Sequence, residues 1–239
     1  MDDNANELPV HLEEFAQLSR YAGFLYFKTM ADALGADTRR YQAECIKVKG
    51  RVFGTEESLS QGDYAELGFW YRGHARALLI FVEGLLFVMR RLICHAEERD
   101  EIQLTRGESH LIHETEYFVQ GRKIKDRYKP NRLLDNFTLS FQLFPQVFGS
   151  PFTVDYGDHG WEQFQRLVEL RNELTHPKSA RDTLLKSELI NTSSGAGAWF
   201  FQCIQGILKS TDVALMERSE RETKAMPKLA ELIRKLTGT

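Results

Sequence analysis

The sequence predicts an all-α fold, a helical bundle with an N-terminal helical extension. Apolar residues recur every three to four positions along most of the chain, which is the spacing of one face of an α-helix. No segment alternates apolar and polar residues strongly enough to indicate a sheet, and the 239 residues include only six prolines. A chain of this length can bury a full hydrophobic core.

Residues 1–60 are predicted to form the helical extension, packed on a main helical domain of residues 61–239. Apolar residues at helical spacing predict a helix from about Pro9 to Leu34, and Gly35 is expected to end it. A second helix is predicted from about Asp37 to Lys49. The extension is therefore expected to contain two helical pieces.

A long helix is predicted from Asp63 to about Arg99. Asp63 is expected to be its N-cap, with Glu66 three residues later in the arrangement of a capping box. The middle of this helix is apolar nearly all round, which predicts the buried central helix of the bundle. Glu83 interrupts that apolar middle, and a buried glutamate is rare unless it has a partner.

The rest of the chain is predicted to form shorter helices separated by turns. Tyr117–Val119 fits either a strand or a helix. A helix is predicted over Asn131–Phe148, with Asn131 as its cap and Pro145 as a kink or stop. The later predicted elements are a helix over Trp161–Thr175, a helix over Ala180–Ile190, a flexible loop over Thr192–Gly197, a helix from Trp199 to about Glu217 and a short helix over Lys228–Leu236.

Arg171 has an unexpected place on the helix predicted over Trp161–Thr175. On a helical wheel it falls inside the apolar arc, between Phe164 and Leu167. A guanidinium on a core-facing stripe is unfavourable unless it meets an anion or an interface. Glu83 presents the complementary problem, so the two side chains are predicted to form a buried ion pair. We expect this pair to be structural rather than to make Glu83 a catalytic residue.

Asn172 and His176 follow Arg171 and lie four residues apart, so they are neighbours on a second face of the helix. Pro177 disfavours helical geometry at His176, where the helix is expected to end and its dipole favours a protonated imidazole. The pattern Arg171-Asn172-x-x-x-His176 resembles the arginine–histidine signature of the HEPN superfamily. The resemblance covers roughly residues 63–219 and implies a HEPN-like topology for the main domain.

The resemblance implies a metal-independent endoribonuclease, in a toxin–antitoxin or phage-defence (antiviral) setting. His176 would act as general base or acid, Arg171 would hold the scissile phosphate, and Asn172 would orient the imidazole or the phosphate. No metal or other cofactor is expected, because the ribose 2′-hydroxyl is an internal nucleophile. The superfamily also implies a homodimer with one composite cleft, and an antitoxin or defence protein as a further partner.

The alternative reading is that the three residues form an ordinary helix end. Arg171 would then belong to a core salt bridge, and His176 would bind the last carbonyl groups of the helix. The protein would be a non-catalytic helical module that binds RNA, a nucleotide or a protein partner. Trapped cyclic-phosphate ends on cleaved RNA would separate the two functions.

A basic segment lies immediately before and at the start of the helix predicted over Asn131–Phe148. Its density of cations suits an RNA backbone, and its single tyrosine could stack on a base. The alternative is a solvated loop. The predicted RNA-binding residues are Arg122, Lys123, Lys125, Arg127, Tyr128, Lys129 and Arg132.

Composition narrows the classes of partner and compartment. The net charge of −3 gives no global basic field, so binding to nucleic acid requires a local patch. The three cysteines are widely spaced and none has metal-ligand spacing, which predicts reduced thiols. The acidic N-terminus predicts no signal peptide, and the most apolar run, Ala75–Met89, is expected to be too short to span a membrane. A cytoplasmic protein without membrane contact is expected.

Overall fold

The computed structural model describes residues 8–53, 60–120, 123–128, 132–175 and 187–237. Within these ranges the chain is an all-α bundle of six helices, with one small antiparallel ribbon between the third and fourth, so the predicted fold class is confirmed. In chain order the elements are α1 (Leu8–Phe53), α2 (Gln61–Glu98), α3 (Arg106–Ile112), β1 (Thr115–Gln120), β2 (Lys123–Tyr128), α4 (Leu133–Phe148), α5 (His159–Thr175) and α6 (Ser187–Thr237).

The helices α1 and α2 form a long antiparallel hairpin. Glycines of α2 allow the two backbones to approach closely, since a Cβ at Gly84 would lie 2.6 Å from Leu34 Cδ1 and one at Gly73 would lie 2.5 Å from Tyr41 Cε1. The predicted N-terminal extension therefore shares one hydrophobic core with the rest of the described chain. Its buried contributions to that core are Phe24, Phe27, Ala31, Cys45, Val48 and Val52.

The helix α1 continues through Gly35, so the predicted stop at this residue is wrong. A Cβ here would lie 3.3 Å from the Phe81 ring and 3.4 Å from the Phe201 ring. Glycine is therefore explained by close packing against α2 and α6. Its unfavourable helix propensity, about 1 kcal/mol relative to alanine, is outweighed by the burial of apolar side chains on both sides of it.

The capping box of α2 begins three residues before its predicted position. Ser60 is the N-cap, and its hydroxyl accepts the N–H of Asp63 at 3.2 Å. The carboxylate of Asp63 in turn accepts the Ser60 N–H at 3.0 Å. Glu66, predicted as the box partner, instead accepts a hydrogen bond from Arg51 on α1 at 2.5 Å. Asp63 is therefore the acidic member of the box rather than the cap.

The helix α2 is the centre of the bundle, because it packs against α1, α4, α5 and α6. It is not buried all round, however, and this part of the prediction is wrong. Three large apolar side chains face solvent, with Phe69 59% exposed, Ile80 62% and Phe87 55%. The surrounding helices leave one side of α2 uncovered.

The helix α4 differs from its prediction at both ends. Arg132 occupies the N-cap position without a side-chain capping hydrogen bond, whereas Asn131, the predicted cap, lies outside the described residues. Pro145 lies within the last turn and does not end the helix. The end comes at Gly149, whose φ of 67° is the left-handed conformation that glycine adopts without strain.

Aromatic side chains join α4, α5 and α6 into one cluster. The ring of Phe137 on α4 lies 5.0 Å from that of Phe164 on α5 and 5.6 Å from that of Trp199 on α6. Phe164 and Phe200 stack at 6.2 Å. This cluster fixes the position of α5, which begins two residues before its predicted start and is described as far as Thr175.

The helix α6 is one continuous element, so the predicted loop over Thr192–Gly197 is wrong, as is the predicted separation after Glu217. Small residues in the supposed loop instead allow close packing. A Cβ at Gly197 would lie 3.6 Å from His74 Cε1, and Ala196 is fully buried. Of the helix predicted over Ala180–Ile190, only the part from Ser187 onward is described, and it is the start of α6.

The described cysteines and helices bear on two further expectations. Cys45, Cys94 and Cys203 are all free thiols, and burial raises the pKa of Cys45 and of Cys203 to about 12. Such thiols are poor nucleophiles near neutral pH. Among the described helices, none combines the length and apolar character needed to cross a bilayer.

Candidate functional site

Arg171 on α5 is paired with Glu83 on α2. The Nη2 atom of Arg171 lies 2.7 Å from Oε1 of Glu83, so the predicted ion pair is confirmed. The predicted burial holds for the contacting oxygen Oε1 of Glu83 but not for the pair as a whole, since the side chain of Arg171 is 42% exposed and that of Glu83 39%. A long arginine side chain can begin on the packed side of a helix and still place its guanidinium at the surface.

The apolar arc of α5 itself is buried, as the helical wheel predicted. Phe164 and Leu167 are fully buried and Leu170 is nearly so. Arg171 is the next residue after Leu170, and the arc gives way to solvent there. The arginine is therefore held at the edge of the core, where a negatively charged ligand can reach it.

The other two motif residues lie at the limit of the described chain. Asn172 belongs to the last described turn of α5 by its backbone, and Thr175 is the last residue of this helix that the structure describes. The side chain of Asn172 and all of His176 lie outside what the structure describes. Their proposed roles stay predictions.

The Arg171–Glu83 pair lies on the uncovered side of α2, which carries a mixed stripe of basic and apolar residues. Sequence reasoning missed all of this stripe except Glu83, because the apolar residues suggested burial on every side. The signal that could have found it is the recurrence of charged residues every three to seven positions in an otherwise apolar helix. The stripe consists of Phe69, Arg72, Arg76, Ile80, Glu83 and Phe87.

A groove of about 600 Å³ runs between this stripe and α1. Gly73 and Ala77, which are small, contribute to its lining from α2. Burial, and then the positive charge of Arg76, lower the pKa of Arg72 below its ordinary value. The complete lining is Leu34, Asp37, Tyr41, Phe69, Arg72, Gly73, Arg76, Ala77 and Ile80.

The predicted basic segment contains the second strand of the ribbon, β2. Tyr117–Val119, which fitted either a strand or a helix, belongs to the first strand, β1. In the antiparallel register Lys123 pairs with Gln120, Lys125 with Phe118 and Arg127 with Glu116. Alternate residues of a strand share one face, so these three basic positions belong to the same face of the ribbon. Tyr128 ends β2, Arg132 is exposed before α4, and Arg122 and Lys129 lie outside the described residues.

The ribbon is attached to α2 close to the stripe. Glu114, directly before β1, is buried and forms an ion pair with Arg90 of α2. The guanidinium carbon of Arg90 also lies 5.9 Å from the centre of the Phe87 ring, which is a cation–π distance. The base of the basic ribbon therefore lies within about one helical turn of Phe87.

His74 is a second histidine that could suggest chemistry, but it is enclosed in the core between α2 and α6. Its side chain is 1% exposed, and neither ring nitrogen has a hydrogen-bond partner among the described residues. Burial lowers the pKa of His74 to about 4. The imidazole is thus neutral near pH 7 and has no access to a substrate.

The described residues contain no group of three or more His, Cys, Asp or Glu side chains able to hold a metal ion. His113 contacts Glu97 at 2.9 Å, and His110 accepts a hydrogen bond from Arg106 at 3.4 Å. These two histidines therefore have separate partners on the surface.

Taken together, the uncovered side of α2 can receive a polyanion. This side presents Arg171, which is oriented by a carboxylate, and two more arginines on the same stripe. The basic ribbon is attached to α2 next to Phe87, at the C-terminal end of the stripe. Guanidinium groups suit phosphate oxygens in geometry and charge. The chain matches no protein-family model, no curated protein and no solved structure.

Proposed function

We propose that this protein is a metal-independent endoribonuclease of HEPN type that acts as a homodimer. The observation that carries the proposal is the placement of Arg171, which stands at the surface near the end of α5 and is oriented by Glu83. A phosphate-binding arginine has to be both fixed and accessible, and this pair meets both conditions. The sequence supplies Asn172 and His176 immediately beyond it.

In the proposed reaction, Arg171 binds the scissile phosphate and offsets the charge that develops on it. His176 accepts the proton of the ribose 2′-hydroxyl as that oxygen attacks phosphorus. The bond from phosphorus to the 5′-oxygen breaks, and this oxygen takes up a proton. The products are a 2′,3′-cyclic phosphate and a 5′-hydroxyl end. Asn172 orients the imidazole or the phosphate.

The exposed apolar residues of α2 support a symmetric dimer. Ile80 and Phe87 lie about one turn on either side of Glu83, and both are more than half exposed. Large apolar side chains left in solvent beside a polar site are typical of an interface. A two-fold contact through them would place the two Arg171 residues in one composite cleft.

The decisive experiment identifies the ends of RNA treated with the purified protein. Wild-type protein should leave 2′,3′-cyclic phosphates, and His176→Ala should lower the rate by about a hundredfold or more, the usual contribution of a general base. His159→Ala is the matched control, because His159 lies exposed at the other end of α5. Cleavage that survives His176→Ala, or that EDTA abolishes, would contradict the mechanism.

The proposed setting is a toxin–antitoxin or phage-defence system. Growth arrest on expression of wild-type protein, but not of His176→Ala, would support it. The alternative function is a non-catalytic module that binds RNA, and the basic and aromatic stripe of α2 favours this over binding of an unrelated ligand. RNA binding without any cyclic-phosphate product would select that alternative.

A further inference from the structure

The groove between α1 and α2 is lined by charged and aromatic side chains that the cleavage mechanism does not use. Arg72 and Arg76 lie one helical turn apart on its α2 wall, and Asp37 lies on its α1 wall. Phe69 and Tyr41 also line it. Cations, an acceptor carboxylate and aromatic rings therefore converge on one space of about 600 Å³, within the range of small-molecule sites.

Phe69 offers a fixed and accessible aromatic surface. Its side chain is 59% exposed, yet its ring lies 5.3 Å from that of Trp70 at an interplanar angle of 80°. Trp70 is in turn 6.0 Å from Tyr41, which packs over Gly73. Because these ring contacts already restrict Phe69, a planar group can stack on its exposed face with little further loss of side-chain entropy.

The two arginines give the same groove a local positive charge in a protein whose net charge is −3. They lie one helical turn apart, so a phosphate bound beside them would be attracted to both. Asp37 across the groove can accept hydrogen bonds from amino or hydroxyl groups but repels a phosphate. A ligand with a phosphate at one end and a planar donor-bearing ring at the other matches this asymmetry.

We infer that this groove binds one nucleotide of a single-stranded RNA, with its base stacked on Phe69 and its phosphate against Arg72 and Arg76. The inference rests on the proposed function, since it makes the groove an extension of the cleavage cleft. Arg76 and Glu83 are seven residues apart on α2, which is about 10 Å along the helix. One short strand can therefore occupy the groove and reach Arg171. Duplex RNA cannot bind in this way, because its bases remain stacked on one another.

The test measures binding separately from cleavage, by fluorescence anisotropy of a labelled 12-nucleotide single-stranded RNA over a salt series in the His176→Ala background. Arg72→Gln with Arg76→Gln should weaken binding about tenfold or more and reduce the slope of log K against log salt by about 0.7, the contribution of one phosphate contact. Phe69→Leu should weaken binding about tenfold without changing that slope. A duplex of the same sequence should bind more weakly than the single strand.

Matched controls are Lys47→Gln with Arg91→Gln, which removes two exposed cations outside the groove, and Phe53→Leu, an exposed phenylalanine on α1. These should leave the affinity for the single strand within about twofold of the parent, since such positions make no groove contact. Groove variants that bind RNA as tightly as the controls would overturn the inference while leaving the proposed cleavage intact.

The two proposals fail in distinguishable ways. Groove-dependent RNA binding without cyclic-phosphate products from the wild type would remove the nuclease and keep the nucleotide site. Cyclic-phosphate products together with RNA binding that does not depend on the groove would keep the nuclease and remove the nucleotide site. If the groove variants bind RNA normally but change the oligomeric state measured by light scattering, the groove is a protein contact and the inference is wrong.

Discussion

The carboxylate of Glu83 and the guanidinium of Arg171 are in contact across two helices, yet about two-fifths of each side chain is exposed. A buried structural salt bridge would be in contact but shielded from solvent, so this pair is of a different kind. Solvent screens its attraction, so its contribution to stability is small. The direction it imposes on the guanidinium is retained, and that orientation is what a phosphate site requires.

A double-mutant cycle of Glu83→Ala and Arg171→Ala should therefore give a coupling of about 0.5–1 kcal/mol in the free energy of unfolding, measured in urea. The Glu83→Gln variant should be milder if a hydrogen bond to its amide oxygen can replace the ion pair. Glu83→Ala should lower the rate of RNA cleavage by a larger factor than it lowers the equilibrium constant for folding. The control is Asp212→Ala, which removes a longer 3.7 Å pair with Lys28 at similar exposure. A coupling above about 3 kcal/mol would mean that the charges are buried in solution.

The interface proposed on α2 can be tested by placing a charge on it. Phe87→Glu or Ile80→Glu should convert the proposed dimer to a monomer, because each would bury a carboxylate against an apolar partner surface. Light scattering over a range of concentrations measures the change. Met216→Glu is the control, since Met216 is 66% exposed but lies on α6. A wild-type protein that is monomeric at every concentration would remove the composite cleft.

His74 should make stability depend on pH. Its pKa falls from 6.5 to about 4 on folding, so between these values the unfolded chain binds a proton that the folded chain does not. The free energy of unfolding therefore falls as the pH is lowered through this window, by about 2 kcal/mol between pH 7 and pH 5. His74→Leu should remove this part of the decrease in urea titrations. His159→Leu, at an exposed histidine, should leave most of it, and an unchanged decrease in His74→Leu would contradict the assignment.

Two glycine-to-alanine substitutions should have opposite signs. A Cβ at Gly160 would lie 2.4 Å from Cβ of Trp199, which is buried and cannot move aside, so Gly160→Ala should destabilise by about 1–3 kcal/mol. No atom lies within 4 Å of a Cβ at Gly50 in α1, so Gly50→Ala should stabilise by about 0.5–1 kcal/mol through helix propensity. Thermal unfolding followed by circular dichroism measures both. If both substitutions changed the stability by the same amount, the packing around the added Cβ would not explain their effects.

Periodicity in the sequence was sufficient to predict the helical class and the contact between Glu83 and Arg171. The contact could be predicted because each residue was a charge among apolar neighbours, and one could satisfy the other. Its exposure could not be predicted, since a helical wheel gives the direction of a residue but not how far the neighbouring helix extends.

Glycine and serine account for the main errors along the chain. Gly35 and the segment Thr192–Gly197 suggested breaks, yet both lie within helices where a neighbouring helix comes close. Local sequence cannot distinguish a small residue that permits a turn from one that permits close packing, because the partner is distant in the chain. For the same reason the stripe around Phe69 and Arg76 was missed, since sequence does not show which side of an apolar helix stays uncovered.

The order of α5 before α6 along the chain has a consequence for folding during synthesis. Phe164, which fixes α5, finds its partners Trp199 and Phe200 on α6. A nascent chain that has emerged only as far as Thr175 lacks those rings, and the platform for Arg171 is not yet formed. The site around Arg171 would thus be assembled only after α6 has left the ribosome, so the proposed cleavage activity would be withheld until then.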